Sequence, residues 1–365
     1  MKVSLITYTY NDKGKTLEII KHCRKCGVDF HEIVVVDDCS CIPFMTDDVD
    51  VKVIRNSTNV GPGQAKRFGL SSLEGNVFFS LDADIRPSPK WLLHSLKYLS
   101  DPHVGIVGSR IIPGQTGTLL SRALHRSHQR NRQDSQVAFL QGGIWLIRRE
   151  AWECVGGLDD YSQTTHEDIY LCRKMQKSGF GLISANAYPV YEKRKIDYLT
   201  YVKREAGYGA PVYTYIIQTS GLEKAARKIR DNSSPLIDYC LSSGELAGIY
   251  YDMLKTAVLV LNMAKYYGEI LGSVPAVQLM GEVFAALDDL LAADENLKAA
   301  IYSDMETLGY QKTANYYQAP GRLAIFFEPF FVLKQQGFLS ELEKNWLNAI
   351  LAENEEGGFD FHYLS

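Results

Sequence analysis

The sequence lacks any apolar run of the roughly 18 residues that a membrane-spanning helix needs. Its most apolar stretch, TAVLVLNMA from Thr256, is too short, and lysines flank it. The first residues, MKVSLITYTYND, also lack the apolar core and small-residue cleavage site of a signal peptide. We therefore expect a cytoplasmic protein without a transmembrane segment.

A marked excess of positive charge is missing too. The chain has 39 Lys and Arg residues against 43 Asp and Glu residues, which gives a formal net charge of -4. No global basic field is present to attract a polyanion. We therefore expect no nucleic acid partner.

Cysteines are few, and no secretory signal accompanies the seven that are present, which favours reduced thiols. Cys23, Cys26, Cys39 and Cys41 form a CxxC and a CxC pattern, and four thiolates in that order can hold zinc. Cys23 and Cys26 also share one face of a helix-like segment, as ordinary small side chains do. We favour this second interpretation, and the sequence leaves zinc open.

Strand-like segments recur through the first part of the chain, with helix-like segments such as TLEIIKHCRKC and GQAKRFGLSSL among them. This order predicts an α/β fold with a Rossmann-like, mostly parallel sheet flanked by helices. Asp37 and Asp38 end one strand-like segment, and Asp82 and Asp84 end another. Ligands bind beyond the carboxyl ends of parallel strands, so these four acids are expected in one crevice.

Helical periodicity replaces the strand pattern after about residue 197. Apolar residues such as Ile249, Met253 and Leu254 form one stripe, and Val283, Phe284 and others form a second. We predict a domain over residues 1–219 and a helical C-terminal domain over 220–365. The second domain is expected to recognise an acceptor or to form a homo-oligomer.

Two carboxylates separated by one alanine, Asp82-Ala83-Asp84, stand directly after the apolar strand VFFSL. Like charges this close favour a bound cation between them. Carboxylate oxygens suit Mg²⁺ or Mn²⁺, which fill their remaining positions with phosphate and water. The D-x-D pattern alone is a weak signal, so its neighbours decide how it is interpreted.

The neighbours form an ordered set: TYTYND, VVVDDCS, NVGPGQAKRFGL, SLDAD, GG-x4-RRE and HED. This set resembles the family 2 glycosyltransferases with the GT-A fold, over about residues 1–210. Their polymer-forming members carry Q-x-x-R-W, which is absent here. The resemblance implies non-processive transfer from a nucleotide diphosphate sugar, with a UDP-sugar expected.

The resemblance also implies donor-binding residues. Tyr10 is expected to stack on the nucleobase and Asp38 to accept its N–H, while Lys66, with Arg67 as runner-up, would approach base and phosphate. The implied nucleotide-sugar set is Thr7, Tyr10, Asp38, Lys66, Asp82, Ala83 and Gly143. The implied metal ligands are Asp84 and Asp82. In the place of the family's further histidine stands Glu192 or Tyr191, and we predict Glu192.

The segment THEDIYL supplies the expected base. By resemblance Asp168 takes the proton of the acceptor hydroxyl, and Glu167 helps to orient that acceptor. A single base opposite the leaving group inverts the anomeric centre. Acids also favour helix N-termini for purely structural reasons, so capping is the competing interpretation of both residues.

The implied function is an inverting glycosyltransferase that uses Mn²⁺ or Mg²⁺. Its acceptor is expected to be a glycan or lipid-linked sugar, with a peptide or protein side chain as the alternative. A sugar nucleotidyltransferase would need an arginine-containing glycine loop after the first strand, where the chain has YTYNDKGKT. A catalytically inactive nucleotide-sugar-binding or scaffold protein is the remaining alternative.

Overall fold

The computed structural model describes residues 1–114, 133–162, 166–193, 198–244, 247–267, 275–312, 321–340 and 342–343. The chain divides into two compact units: the described residues up to 193 form a sheet unit, and those from 198 onward form a helical unit. The predicted domain boundary at 219/220 falls at the end of the first helix of the helical unit. That boundary stays a prediction.

The described residues of the sheet unit contain an eight-stranded sheet in the order β3-β2-β1-β4-β9-β6-β10-β8. Neighbouring strands are parallel except where β9 lies between β4 and β6 and where β8 pairs with β10. The strands are β1 (Val3–Thr9), β2 (Phe30–Asp37), β3 (Val51–Arg55), β4 (Val77–Leu81), β6 (Val104–Gly108), β8 (Ser135–Gln136), β9 (Ile144–Arg148) and β10 (Gly181–Ser184). The predicted mostly parallel sheet is confirmed.

A smaller sheet continues from the end of β4. Its order is β5 (Ile85–Pro87), β11 (Val190–Glu192) and β7 (Ile111–Pro113), with β11 antiparallel to β5 and parallel to β7. The turn that contains Asp82 and Asp84 therefore joins the two sheets.

Helices cover both faces of the large sheet, which is why central strands such as VFFSL are buried along their whole length. The helices of this unit are α1 (Lys13–Arg24), α2 (Pro62–Ser71), α3 (Pro89–Leu96), α4 (Arg149–Cys154) and α5 (Glu167–Lys177). One face packs on α1 and α3 and includes Leu5 and Phe79. The opposite face packs on α2, α4 and α5 and includes Ile6 and Phe78. Alternation along each strand divides these residues between two cores.

The helical unit contains α6 (Tyr198–Ser220), α7 (Leu222–Ser243), α8 (Ala247–Tyr267), α9 (Ala276–Leu290), α10 (Glu295–Thr307) and α11 (Glu328–Gln335). Both predicted stripes lie in its core: Ile249, Met253 and Leu254 on α8 are buried, as are Val283 and Phe284 on α9. The predicted helical C-terminal region is confirmed. Among the described helices, none combines the length and the apolar character that crossing a bilayer requires.

Candidate active site

The predicted acids lie at one edge of the large sheet because β1, β2 and β4 are parallel and end together. Asp38 follows β2, and its main-chain N–H donates to the carbonyl of Thr9 at 2.9 Å. Asp82 follows β4, on the other side of β1. The edge of the sheet where the acids were expected thus contains the ends of three neighbouring strands.

Lys66 is the centre of the site. Helix α2 carries it into the interior, where it is 1% exposed. Its ammonium donates to the carbonyl of Gly142 at 2.8 Å and to Oε1 of Glu167 at 2.7 Å. Oδ1 of Asp82 lies 3.6 Å from the same nitrogen. Lys66, Asp82, Gly142 and Glu167, called the Lys66 cluster below, join four segments that are far apart in sequence.

Two aromatic rings complete the surroundings of this ammonium. The nitrogen lies 5.5 Å from the ring centroid of Tyr8 and 4.9 Å from that of Trp145. Aromatic faces attract a cation at such distances. Burial alone would lower the pKa of Lys66, but the charges of Glu167 and Asp82 outweigh it and raise the pKa. Lys66 is therefore a permanent buried cation.

The surroundings of Asp82 disfavour its ionised form. Burial, together with the nearby charge of Asp84, raises its pKa to about 6, although Lys66 works in the opposite direction. Its Oδ1 atom is buried and accepts no hydrogen bond. The hydroxyl of Tyr8 bonds to this carboxyl group, and burial followed by the charge of Asp82 raises the pKa of Tyr8. A buried carboxylate oxygen without a hydrogen bond is costly unless a ligand satisfies it.

The glycine pair, Gly142 and Gly143, leaves room for the close contacts of the site. A Cβ atom on Gly142 would lie 2.8 Å from Oε1 of Glu167 and 3.1 Å from the Lys66 nitrogen. A Cβ atom on Gly143 would lie 2.7 Å from the Ile111 side chain. The Gly143 carbonyl accepts the main-chain N–H of Asp82 at 2.9 Å. A side chain at either position would therefore force the neighbouring side chains to shift.

Glu167 and Asp168 begin α5, as the sequence predicted. Burial would raise the pKa of Glu167, but Lys66 holds it below its usual value. Burial and the charge of Glu167 raise the pKa of Asp168. Asp168 accepts the main-chain N–H of Gly142 at 3.2 Å and that of Ile169 at 2.8 Å. The two neighbouring acids thus differ: one is bound to a cation, and the other is the more basic.

Asp38 holds main chain. Its carboxylate accepts from Asn56 Nδ2 at 2.8 Å and from the N–H groups of Val60 at 3.0 Å and Gly61 at 2.9 Å. Gly61 is the residue before α2, so Asp38 holds the segment that leads into the helix that carries Lys66. Contact with a nucleobase stays a prediction.

The remaining predicted donor residues lie near the same strand ends. Tyr10 follows β1 and is 52% exposed, as a stacking surface must be. Thr7 is buried in β1, and its hydroxyl has no hydrogen-bond partner. Ala83 is half-buried beside Asp82 and packs against the core. Their contacts with a donor also stay predictions.

The structure does not assemble the full predicted metal set. Among the described residues, no three or more His, Cys, Asp or Glu side chains form a group suited to a metal ion. Glu192 is buried in β11, opposite Ile85 of β5. The cysteines do not come together either: Cys23 and Cys26 are buried in the core, while Cys41 is exposed. Asp82 and Asp84 remain adjacent as a pair.

Sequence reasoning missed Tyr8 and Trp145. Side chains alternate between the two faces of a strand, so Tyr8 of β1 lies on the opposite face from Thr7. By the same rule, Trp145 of β9 lies on the same face as Gly143, two positions before it. This signal shows which face each ring occupies. It does not show that Lys66 arrives between them, because α2 is separated from β9 by many residues.

Residues 4–156 match the sequence model described as Glycosyl transferase family 2. The resemblance seen in the chain's motifs is therefore confirmed, and the sheet unit has the α/β architecture expected of a GT-A fold. The matched segment contains Lys66, Asp82, Asp84 and the glycine pair, whereas Glu167 and Asp168 lie just beyond it.

Two curated proteins resemble the chain. The dolichol-phosphate mannosyltransferase of Pyrococcus furiosus is 30% identical over 122 residues, 31% of this chain and 34% of that protein. Glycosyltransferase GlyG of Streptococcus pneumoniae is 30% identical over 89 residues, 22% of this chain and 30% of that protein. The chain thus spans about a third of the length of the curated relatives that it matches.

Two solved structures have a remote likeness to the chain. The mannosyltransferase PcManGT from Pyrobaculum calidifontis, in complex with GDP-Man and Mn²⁺, is 18% identical, with a TM-score of 0.45 and coverage of 86% of this chain and 88% of that one. S. aureus TarS 1–349, in complex with UDP-GlcNAc, is 17% identical, with a TM-score of 0.44 and coverage of 85% and 92%.

Proposed function

We propose that the protein is an inverting glycosyltransferase that moves a sugar from a nucleotide diphosphate sugar, UDP-linked in our expectation, to an acceptor hydroxyl. The observation that carries this proposal is the Lys66 cluster. It brings the D-x-D turn, the glycine pair and the E-D helix start, all within one unit, to the same place. Those are the parts that donor binding and base catalysis need side by side.

The D-x-D turn fits a divalent cation, Mn²⁺ or Mg²⁺. Asp82 has a buried oxygen without a hydrogen bond, and the negative charge of Asp84 repels that of Asp82. Both carboxylates would hold the cation; Glu192, which the structure does not group with them, stays a prediction from the resemblance. When bound, a cation here neutralises charge that develops on the leaving diphosphate.

Asp168 is the proposed general base. Its raised pKa makes it a better proton acceptor than an ordinary surface aspartate. It takes the acceptor proton as the acceptor oxygen bonds to the anomeric carbon and the bond to the diphosphate oxygen breaks. Lys66 fixes the carboxylate of Glu167, which would help to orient the acceptor.

Donor recognition is assigned to the residues at the strand ends. Tyr10 and Asp38, with Thr7 beside them, would meet the nucleobase, and Lys66, Asp82, Ala83 and Gly143 would lie around ribose, phosphate and sugar. Because the Lys66 ammonium is already bound to protein oxygens, its part is to fix the groups around it. The proposed acceptor is a glycan or lipid-linked sugar. The helical domain over 220–365 would recognise it or form a homo-oligomer. The cytoplasmic location stays a prediction.

The test is a screen of nucleotide sugars for Mn²⁺- or Mg²⁺-dependent release of nucleoside diphosphate, first with water and then with glycan, lipid-linked and peptide acceptors. Release with any sugar nucleotide excludes the non-catalytic alternative. Product formation with peptides alone would favour protein glycosylation. Absence of binding and release with every nucleotide sugar would overturn the proposal.

Asp168→Asn is expected to lower the rate of transfer by about 10²- to 10⁴-fold, because a positioned base contributes that much. Donor affinity, measured by calorimetry, should stay within a few-fold of the wild type. Asp160→Asn is the matched control, because this exposed acid pairs with Lys174 of α5, the helix that also contains Asp168. This substitution should leave the rate unchanged. Near-normal transfer by Asp168→Asn would show that another group accepts the proton.

A further inference from the structure

The D-x-D segment is a tight turn, and its main-chain oxygens all have partners. The carbonyl of Asp82 accepts the N–H of Ile85 at 3.0 Å, which closes the turn over residues 82–85. The carbonyl of Asp84 accepts the N–H of Lys193 at 2.7 Å. The carbonyl of Ala83, between the two acids, needs a donor from elsewhere.

That donor is the side chain of Arg86. Its Nη1 atom donates to the carbonyl of Ala83 at 2.7 Å and to that of Ile85 at 3.0 Å. The side chain is only 7% exposed. A planar guanidinium can bind two neighbouring carbonyl oxygens in a fixed geometry, which a flexible ammonium does less well.

Helix α1 supports this arginine from the other side. Nη2 of Arg86 lies 3.3 Å from Oε2 of Glu18, and Lys193 lies 3.5 Å from the same oxygen. Glu18 is largely exposed, so these ion pairs orient the guanidinium and add little stability. On the same helix, Nε2 of His22 lies 2.7 Å from the carbonyl oxygen of Pro87. Helix α1 thus holds β5 at two points.

We propose that Arg86 is a positioning residue, which fixes the carboxylates of Asp82 and Asp84 by binding the main chain of the turn that presents them. The inference rests on the proposed function for its consequence, since it assigns to Arg86 the geometry of the cation and donor site. Without the guanidinium, the Ala83 carbonyl loses its donor and the turn is free to shift. Groups that orient metal ligands are typically worth 10- to 100-fold in metal affinity.

The experiment compares Arg86→Gln with Arg148→Gln in the full chain. Arg148 is a matched control, because its guanidinium also binds main-chain carbonyls, those of Val104 and Asp101, in the same unit but away from the acids. Its side chain is 15% exposed, similar to that of Arg86. The measurements are the melting temperature, the Kd for Mn²⁺ with nucleoside diphosphate present, and amide hydrogen exchange of peptides that cover residues 82–86.

Arg86→Gln is expected to weaken Mn²⁺ binding by about 10- to 100-fold and to speed exchange at the Ile85 amide, whereas Arg148→Gln changes the Kd less than about 3-fold. Glu18→Gln should have a small effect, because it removes only the ion pair. Unchanged exchange at Ile85 in Arg86→Gln, or equal losses of Mn²⁺ affinity in both arginine variants, would overturn the proposal. If the wild type binds no nucleotide, the proposed function fails and hydrogen exchange still decides whether Arg86 holds the turn.

Discussion

Two acid pairs end neighbouring parts of the same sheet, and they are used differently. Asp37 is ion-paired with Arg55 and accepts main-chain N–H groups from Ser40 and Phe44, while Asp38 holds the segment before α2. Asp82 instead keeps a buried oxygen without a hydrogen bond. The first pair holds main chain together, whereas Asp82 has an oxygen that a bound cation could satisfy. Position at a strand end is thus insufficient to identify a cation-binding acid.

The pKa values of the two pairs express the same contrast. Burial would raise the pKa of Asp37, but hydrogen bonds from Ser40 and Phe44 and the contact with Arg55 lower it. Burial and Asp84 raise the pKa of Asp82 to about 6, even with Lys66 nearby. An acid with a lowered pKa stabilises the fold when ionised, and one with a raised pKa opposes it.

The largest expected effect comes from removing the cation beside each pair. Lys66→Met leaves Glu167 and Asp82 with buried, uncompensated charge, which should cost about 3–5 kcal/mol of unfolding free energy and abolish donor binding. Arg55→Met should cost about 1 kcal/mol, because Arg55 is 38% exposed and Asp37 keeps its main-chain donors. Urea unfolding and calorimetry measure both. Equal costs for the two variants would remove the distinction between the pairs.

The next effect concerns ligand binding alone. Asp84→Ala should weaken Mn²⁺-dependent donor binding by about 100-fold, through loss of a direct ligand, while the melting temperature stays the same or rises as a repulsion is relieved. Asp37→Asn is the control, and it should lower the melting temperature with donor affinity unchanged. Calorimetric titration with and without Mn²⁺ separates these outcomes. Weakened binding in Asp37→Asn and normal binding in Asp84→Ala would reverse the assignment.

The smallest expected effect is on the pH dependence of stability, to which Asp82 and Asp37 contribute with opposite signs. Because the pKa of Asp82 is about 6 in the folded chain and near 4 when unfolded, folding takes up a proton there between these values. Relative to Asp82→Asn, the wild type should therefore gain about 1 kcal/mol between pH 7 and pH 5. The contribution of Asp37 is constant over that range and is lost only below about pH 4. A wild type that loses stability relative to Asp82→Asn on acidification would contradict this.

Local pattern was enough to predict where the acids stand. Strand ends follow from apolar runs that stop at a charge, so this pattern alone predicts Asp38 and Asp82 at the carboxyl edge. The start of α5 at Glu167 follows from acids that precede a helical pattern. Parallel strands end at one edge, which makes their meeting predictable too.

The contacts between distant segments were not predictable. Lys66 was expected to approach the nucleotide, yet its partner Glu167 is 101 residues away, and nothing in either segment specifies the other. The antiparallel insertion of β9 between β4 and β6 brings the glycine pair to Lys66 and was not anticipated. Such pairings arise from tertiary packing, which single-sequence patterns do not contain.

The enclosure of Lys66 has a practical consequence for chemical footprinting. Reagents that acylate amines sample lysines in proportion to their access to solvent, and Lys66 has almost none. A labelling map of the folded chain would leave this amine unmarked beside many reactive surface lysines. The absence of labelling at Lys66 would reflect its enclosure by two rings and two acids. Labelling that appears under other conditions would then report that the site has opened.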